Sequence, residues 1–172
     1  MLKFALVGCG RIAKRHSELL GFNKIKNASL VAVCDINEKR AKKISDQFNL
    51  PYYIDMDEMM QKQSIDVVSV LTESGNHAKH VINLAKYGKH LVVEKPLALT
   101  LSDADLMIKT CNENDCKLFI IKQNRFNLPV IKLRQAYEQG RFGKLVLGTV
   151  RVRWSRNQDY YDQDKWRGTW NL

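Results

Sequence analysis

An apolar run, Leu2–Val7, leads straight into Gly8-Cys9-Gly10-Arg11-Ile12-Ala13, and a helical apolar stripe follows at once. A strand that ends in Gly-x-Gly-x-x-Ala and opens a helix can fold in few ways. Gly8 permits the tight turn, Gly10 lets the backbone come close to a ligand, and Ala13 lets the helix pack tightly on the strand. The start of that helix then presents N–H groups to an anion such as a pyrophosphate. The motif alone is common, and its surroundings narrow it. A second apolar run, Ser29–Cys34, ends at Asp35, 22 residues after Ala13, close to the spacing of about 20 at which an acid meets an adenosine ribose. An acid there accepts hydrogen bonds from the ribose hydroxyls and repels a 2′-phosphate, which favours NAD over NADP.

The alternation continues along the chain. Asn37 caps a helix reaching Phe48. Pro51–Ile54 reads as a short strand and Asp55–Gln63 as a short helix. Asp66–Leu71 and His90–Val93 read as strands around a helix from Gly75 to Tyr87 that Gly88 closes. Ser102, with Asp105 three positions on, reads as the N-cap of a helix to Asn114, before a last strand, Lys117–Ile121. Strands of near-continuous apolar residues between helices imply βαβ crossovers and a parallel sheet buried on both faces. The predicted fold class is α/β, a Rossmann-type doubly wound parallel sheet over residues 1–122.

Beyond residue 122 the pattern changes. Pro129–Gln139 reads as a helix closed by Gly140, and Lys144–Trp154 as a long strand with Val146, Val150, Val152 and Trp154 on one face. Such a strand needs a sheet to pair with, and only a polar, aromatic loop follows it. Residues 123–172 are therefore expected to be a linking helix and the first strand of an incomplete α+β antiparallel-sheet domain.

Composition excludes several classes. Apolar residues make up 45% and charged residues 27% of the 172, as in an ordinary globular protein. No apolar run approaches the roughly 20 residues that span a bilayer, and the start is too quickly followed by Arg11, Lys14 and Arg15 to read as a signal peptide. A cytoplasmic location and no membrane partner are expected. The net charge is +10, but the basic residues alternate with acids on helices, as in Asn37–Gln47, the pattern of a solvated face rather than a nucleic-acid surface. Cys9, Cys34, Cys111 and Cys116 have no metal-ligand spacing and read as free thiols.

Three further segments carry chemistry. Thr72 closes a strand beside the crevice where ligands bind in such sheets. His77 and His80 share a helix face, but with no third ligand nearby they read as structural or solvated and no metal is expected. Glu94-Lys95-Pro96 also closes a strand. A lysine held there, desolvated and near a nicotinamide cation, would have its pKa lowered toward the range of acid–base catalysis, with Pro96 fixing the turn, through a cis bond if need be. Arg125, Arg156, Arg167, Tyr160, Tyr161, Trp166 and Trp170 are candidates for binding a sugar, base or carboxylate.

Together these motifs resemble the Gfo/Idh/MocA family of NAD(P)-dependent sugar oxidoreductases. GCGRIAKRH, the strand-end Cys34-Asp35, Thr72-x-Ser74-Gly75-x-His77, VVEKPLALT and QNRF match in order and spacing. The stretch from KQNRFN through GRFGKL and VRVRW to YYDQDKWRGTW resembles the branch that oxidises the 3-hydroxyl of a UDP-N-acetylglucosamine-derived uronate to a ketone, for bacterial surface polysaccharides. The resemblance implies that Gly8, Gly10, Arg11 and Ile12 contact the pyrophosphate and that Asp35 holds the ribose. It puts Thr72, Ser74 and His77 along the cofactor crevice, and Glu94 against the nicotinamide ribose. Lys95 would be catalytic and would touch both cofactor and substrate. Gln123, Asn124 and Arg125 would bridge cofactor and substrate, and Trp166 and Arg167 would close near the nicotinamide. Arg156, Tyr160 and Tyr161 would bind the substrate, a UDP-sugar or another sugar. Family members continue past the point matching Leu172 to a second catalytic group, usually a histidine, and associate as homo-oligomers. The 172 residues alone are thus expected to bind NAD without turnover. Two alternatives stay open: a non-catalytic NAD-binding regulator, and a dehydrogenase of an inositol or simple aldose.

Overall fold

The computed structural model describes residues 1–163 and Gly168. The chain divides into two compact units, Met1–Ile121 and a second that starts at Lys122. The first is a six-stranded, wholly parallel sheet in the order β3-β2-β1-β4-β5-β6. Its strands are β1 (Leu2–Val7), β2 (Ala28–Cys34), β3 (Tyr52–Tyr53), β4 (Val67–Val70), β5 (His90–Val93) and β6 (Leu118–Ile120). The helices between them are α1 (Ala13–Gly21), α2 (Glu38–Phe48), α3 (Met56–Lys62), α4 (His77–Ala85) and α5 (Leu101–Glu113).

Strand alternation divides the core. Ala5 and Val7 of β1 and Ala32 and Cys34 of β2 pack with Val81 and Leu84 of α4 and Met107 and Cys111 of α5. Leu6 and Val33, the residues between, join Ala13 and Leu20 of α1 and Ala41 and Ile44 of α2 in a separate cluster. Residues of period two thus serve opposite faces, and each fully buried Leu or Val adds about 1.5–3 kcal/mol of transfer free energy. Because β4 returns to the far side of β1, the order in which strands are added reverses between them. Their carboxyl ends form the crevice that such a reversal leaves open.

Local chemistry sets the helix ends. The Asn37 and Asp55 side chains accept from Arg40 N and Glu58 N at the starts of α2 and α3. The start of α5 falls elsewhere than its sequence predicts. Thr100, in extended backbone, accepts from Asp103 N and donates its hydroxyl to Asp103 Oδ2 at 2.7 Å, so the cap lies at Thr100 and Ser102 is already helical. Thr100-x-x-Asp103 satisfies the exposed N–H two residues before the competing Ser102-x-x-Asp105 pair could.

The second unit holds a short 3-10 turn (Gln123–Phe126), α6 (Leu128–Glu138) with Pro129 in its first turn, and α7 (Gln158–Asp162). Here one expectation fails. Lys144–Trp154 is not a strand but an irregular segment, with Val146, Val150 and Trp154 91%, 89% and 75% exposed. Apolar alternation supplies a face, but a ladder needs a neighbouring edge, and no described residue of this unit provides one.

Candidate cofactor and catalytic site

The glycine turn is shaped by its neighbours. Gly8 has φ +95°, and a Cβ added there would lie 2.8 Å from Leu71 C and Thr72 N at the end of β4. Gly8 therefore holds the two central strands together. Gly10 differs, since a Cβ there would meet nothing within 4 Å. Its missing side chain leaves open space above the start of α1, whose first residue follows Ile12 with no side-chain cap. Open space beside an uncapped helix start fits a pyrophosphate. Ala13 is fully buried against the sheet.

Asp35 closes this corner. Its Oδ2 accepts from Cys9 N at 2.6 Å and its Oδ1 from Asn37 N at 2.7 Å. The carboxylate thus ties the glycine turn to the end of β2. Two backbone bonds use about half of its roughly four acceptor positions, leaving capacity for a ribose diol. The residues present fit a dinucleotide.

The ends of β4 and β5 are held by histidines. His77 is 1% exposed. Its Nδ1 lies 2.7 Å from Pro96 O and its Nε2 3.0 Å from Thr72 O. The ring spans the two strand-end loops. His77 was expected along the cofactor crevice; its ring is instead spent on the backbone beneath it. His80 Nδ1 lies 2.9 Å from Thr72 Oγ1, and burial leads the causes that hold its pKa below the usual histidine value. The two histidines grip one threonine by its carbonyl and its hydroxyl. Ser74 starts the short turn before α4 and is partly buried.

In the turn after β5, the Lys95–Pro96 bond is cis. Glu94 is buried and Lys95 is exposed. Lys95 stands past the last strand residue and is exposed, so within this unit it is not the desolvated lysine that the sequence predicts. Glu94 Oε2 accepts from Lys95 N at 3.1 Å, and Oε1 lies 3.4 Å from His16 Nε2. Burial pushes the Glu94 pKa up. The His16 hydrogen bond, the Lys95 N–H and the His16 and Lys95 charges outweigh it and leave the carboxyl below its ordinary value. His16 escaped the sequence reading as a functional residue. The signal was there: it lies three positions after Ala13, beside the stripe Ala13, Ser17 and Leu20 that α1 buries.

All four cysteines are buried and unpaired. Burial first, then nearby acids, pushes Cys9 and Cys34 up to about 12. Burial likewise pushes Cys111 to about 12. Since the thiolate is the reactive form, the native chain is expected to resist a thiol reagent such as dithionitrobenzoate at pH 7.5, and to release four equivalents when unfolded. Rapid native labelling would contradict this packing.

In the second unit, Gln123, Asn124 and Arg125 share the exposed 3-10 turn. Arg156 stacks between Trp154 and Tyr160, 4.9 Å from each ring centroid, and Tyr160 meets Tyr161 edge-on at 5.3 Å. Three candidate substrate residues thus form one cluster. Trp166, Arg167 and Trp170 lie outside the described residues. Among the described residues no group of three or more His, Cys, Asp and Glu could hold a metal ion. No helix among them is long and apolar enough to cross a membrane.

A parallel sheet with this glycine turn, an acid closing its second strand and a lysine turn at the crevice defines a dinucleotide-binding domain of the oxidoreductase class. Comparison with known proteins agrees. Residues 2–122 match the family described as "Oxidoreductase family, NAD-binding Rossmann fold". Myo-inositol 2-dehydrogenase of Thermotoga maritima is 34% identical over 83% of this chain and 42% of its own length. The crystal structure of the WlbA dehydrogenase from Bordetella pertussis, in complex with NADH and UDP-GlcNAcA, is 37% identical, with a TM-score of 0.93 over 99% of this chain and 52% of that one. A WlbA dehydrogenase from Chromobacterium violaceum, also with NADH and UDP-GlcNAcA, is 36% identical at the same TM-score. The chain spans about half the length of these relatives. It belongs to the Gfo/Idh/MocA oxidoreductase family and carries that family's NAD-binding Rossmann fold.

Proposed function

We propose that the chain is the cofactor-binding part of an NAD-dependent dehydrogenase that oxidises a sugar hydroxyl to a ketone, the substrate being a UDP-N-acetylglucosamine-derived uronate oxidised at C3. One observation favours this substrate over an inositol. The likeness to the UDP-GlcNAcA-bound WlbA structure extends over 99% of the chain. The likeness to the Thermotoga maritima dehydrogenases stops at 83%. The cluster of Arg156, Tyr160 and Tyr161 offers the cationic and aromatic groups that such a substrate would need.

NAD, when bound, supplies the hydride acceptor. The chain supplies the rest. Arg11, Ile12 and the open face of Gly10 border the pyrophosphate site, and Asp35 accepts from the adenosine ribose hydroxyls. Glu94 lies against the nicotinamide ribose, with Thr72 and Ser74 along the crevice. Lys95 Nζ, together with a group carried further along the relatives' chains, takes the proton from the substrate hydroxyl. Gln123, Asn124 and Arg125, exposed on their 3-10 turn, are polar groups available to a sugar.

The 172 residues by themselves are expected to bind NAD without turnover, since removing one member of a proton-transfer pair costs about 10²–10⁴ in rate. NADH formation at 340 nm by the intact enzyme, with UDP-GlcNAcA, myo-inositol and a simple aldose, is the test. Reduction with UDP-GlcNAcA alone is the expected result. Turnover of inositol in preference would transfer the reading to the Thermotoga-like activity.

A further inference from the structure

His16 belongs to the helix that follows the glycine turn, and Glu94 to the end of β5, 78 residues away. Their side chains are only 18% and 11% exposed where they meet, Nε2 to Oε1 at 3.4 Å. An ionised carboxylate only accepts, so the His16 ring carries the hydrogen and donates. The second carboxylate oxygen is taken by the N–H of Lys95 at 3.1 Å. Glu94 is thus fixed at both oxygens, by the turn it belongs to and by one side chain from α1.

We propose that His16 is a positioning residue that aims the Glu94 carboxylate at the nicotinamide ribose. It thereby couples the pyrophosphate-binding helix to the lysine turn. This rests on the reading of Glu94 as a contact of that ribose. Lone pairs of Glu94 remain for a ribose hydroxyl, and their direction is set by the two donors already in place. Without His16 the hydrogen bond from α1 to Oε1 is lost, and the carboxylate can rotate toward water or toward the exposed Lys95. The adenosine and pyrophosphate subsites, built by Gly8, Gly10 and Asp35, do not depend on this bond.

ADP occupies the adenosine and pyrophosphate subsites and lacks the second ribose, so the ratio of NAD to ADP affinity isolates the effect. Calorimetric titration of the 172-residue chain with NAD and with ADP is the experiment. The proteins are wild type, His16→Ala, His16→Asn, His16→Gln and Glu94→Ala. His16→Ala and His16→Asn are expected to weaken NAD about tenfold and ADP by no more than about twofold, as for loss of a hydrogen bond to a charged group. His16→Gln, whose amide N–H reaches the place of Nε2, restores most of the ratio. Equal weakening of both ligands means a merely structural histidine and overturns the proposal, as does a Gln variant no better than Asn. If Glu94→Ala collapses the ratio while the His16 variants keep it, only the role of His16 fails. If Glu94→Ala itself leaves the ratio unchanged, the reading of Glu94 fails and takes the proposal with it.

Discussion

Gly8→Ala is expected to lower the stability of the chain by about 2–6 kcal/mol, while Gly10→Ala folds like the wild type and binds NAD more weakly. The two glycines look alike in the sequence and do different work. At Gly8 the backbone has φ +95° and an added Cβ would sit 2.8 Å from two backbone atoms of the β4 end. Strain at such a φ costs about 1–3 kcal/mol. Driving a methyl into rigid backbone adds a further overpacking cost of about 1–3 kcal/mol, in a domain whose total stability is on the order of 5–15 kcal/mol. The clash is with Leu71 and Thr72, so it pries apart the central β1–β4 pair. At Gly10 an added Cβ meets nothing within 4 Å, and the change in stability should stay within about 0.5 kcal/mol. The methyl would occupy the space the pyrophosphate needs, and NAD affinity should fall by about tenfold or more. Urea midpoints and NAD titrations of both variants decide this. A Gly10→Ala chain that binds NAD as well as wild type would mean that the open space is not the pyrophosphate site. A Gly8→Ala chain with the wild-type urea midpoint would mean that the β1–β4 end tolerates more movement than its packing implies.

The second large effect concerns Lys95. In the intact enzyme, Lys95→Ala is expected to lower kcat about 10²–10⁴-fold, the range for loss of a positioned acid–base group. Lys95 is exposed and lies beyond the last residue of β5, so the variant should fold and melt like wild type, which separates chemistry from stability. Lys95→Arg should not rescue turnover. It keeps the charge, but a guanidinium does not release its proton at working pH. Single-turnover measurement of NADH formation reads the chemical step directly. Near-wild-type turnover in Lys95→Ala would remove the lysine from the proton path and leave Glu94-Lys95-Pro96 as a binding turn.

What the sequence determined by itself is the local and periodic part of this protein. Strand runs such as Leu2–Val7 and His90–Val93, and the glycine turn followed by a helix, depend on neighbours a few residues away. Backbone conformation and side-chain period are set at that range. Asp35 at the end of β2 was legible for the same reason, as was the lysine turn after β5. What only the tertiary structure decided depends on groups far apart in the chain. His77 turns from crevice to scaffold because its ring meets Thr72 O on one side and Pro96 O on the other. His16 finds Glu94 only because β1 and β5 flank β4 in one sheet. Lys144–Trp154 keeps its apolar alternation without becoming a strand, because a ladder needs an edge to pair with. The glycine turn itself shows both contributions. Its spacing announced a dinucleotide, and packing against β4 separated Gly8, which the fold cannot change, from Gly10, which the ligand requires.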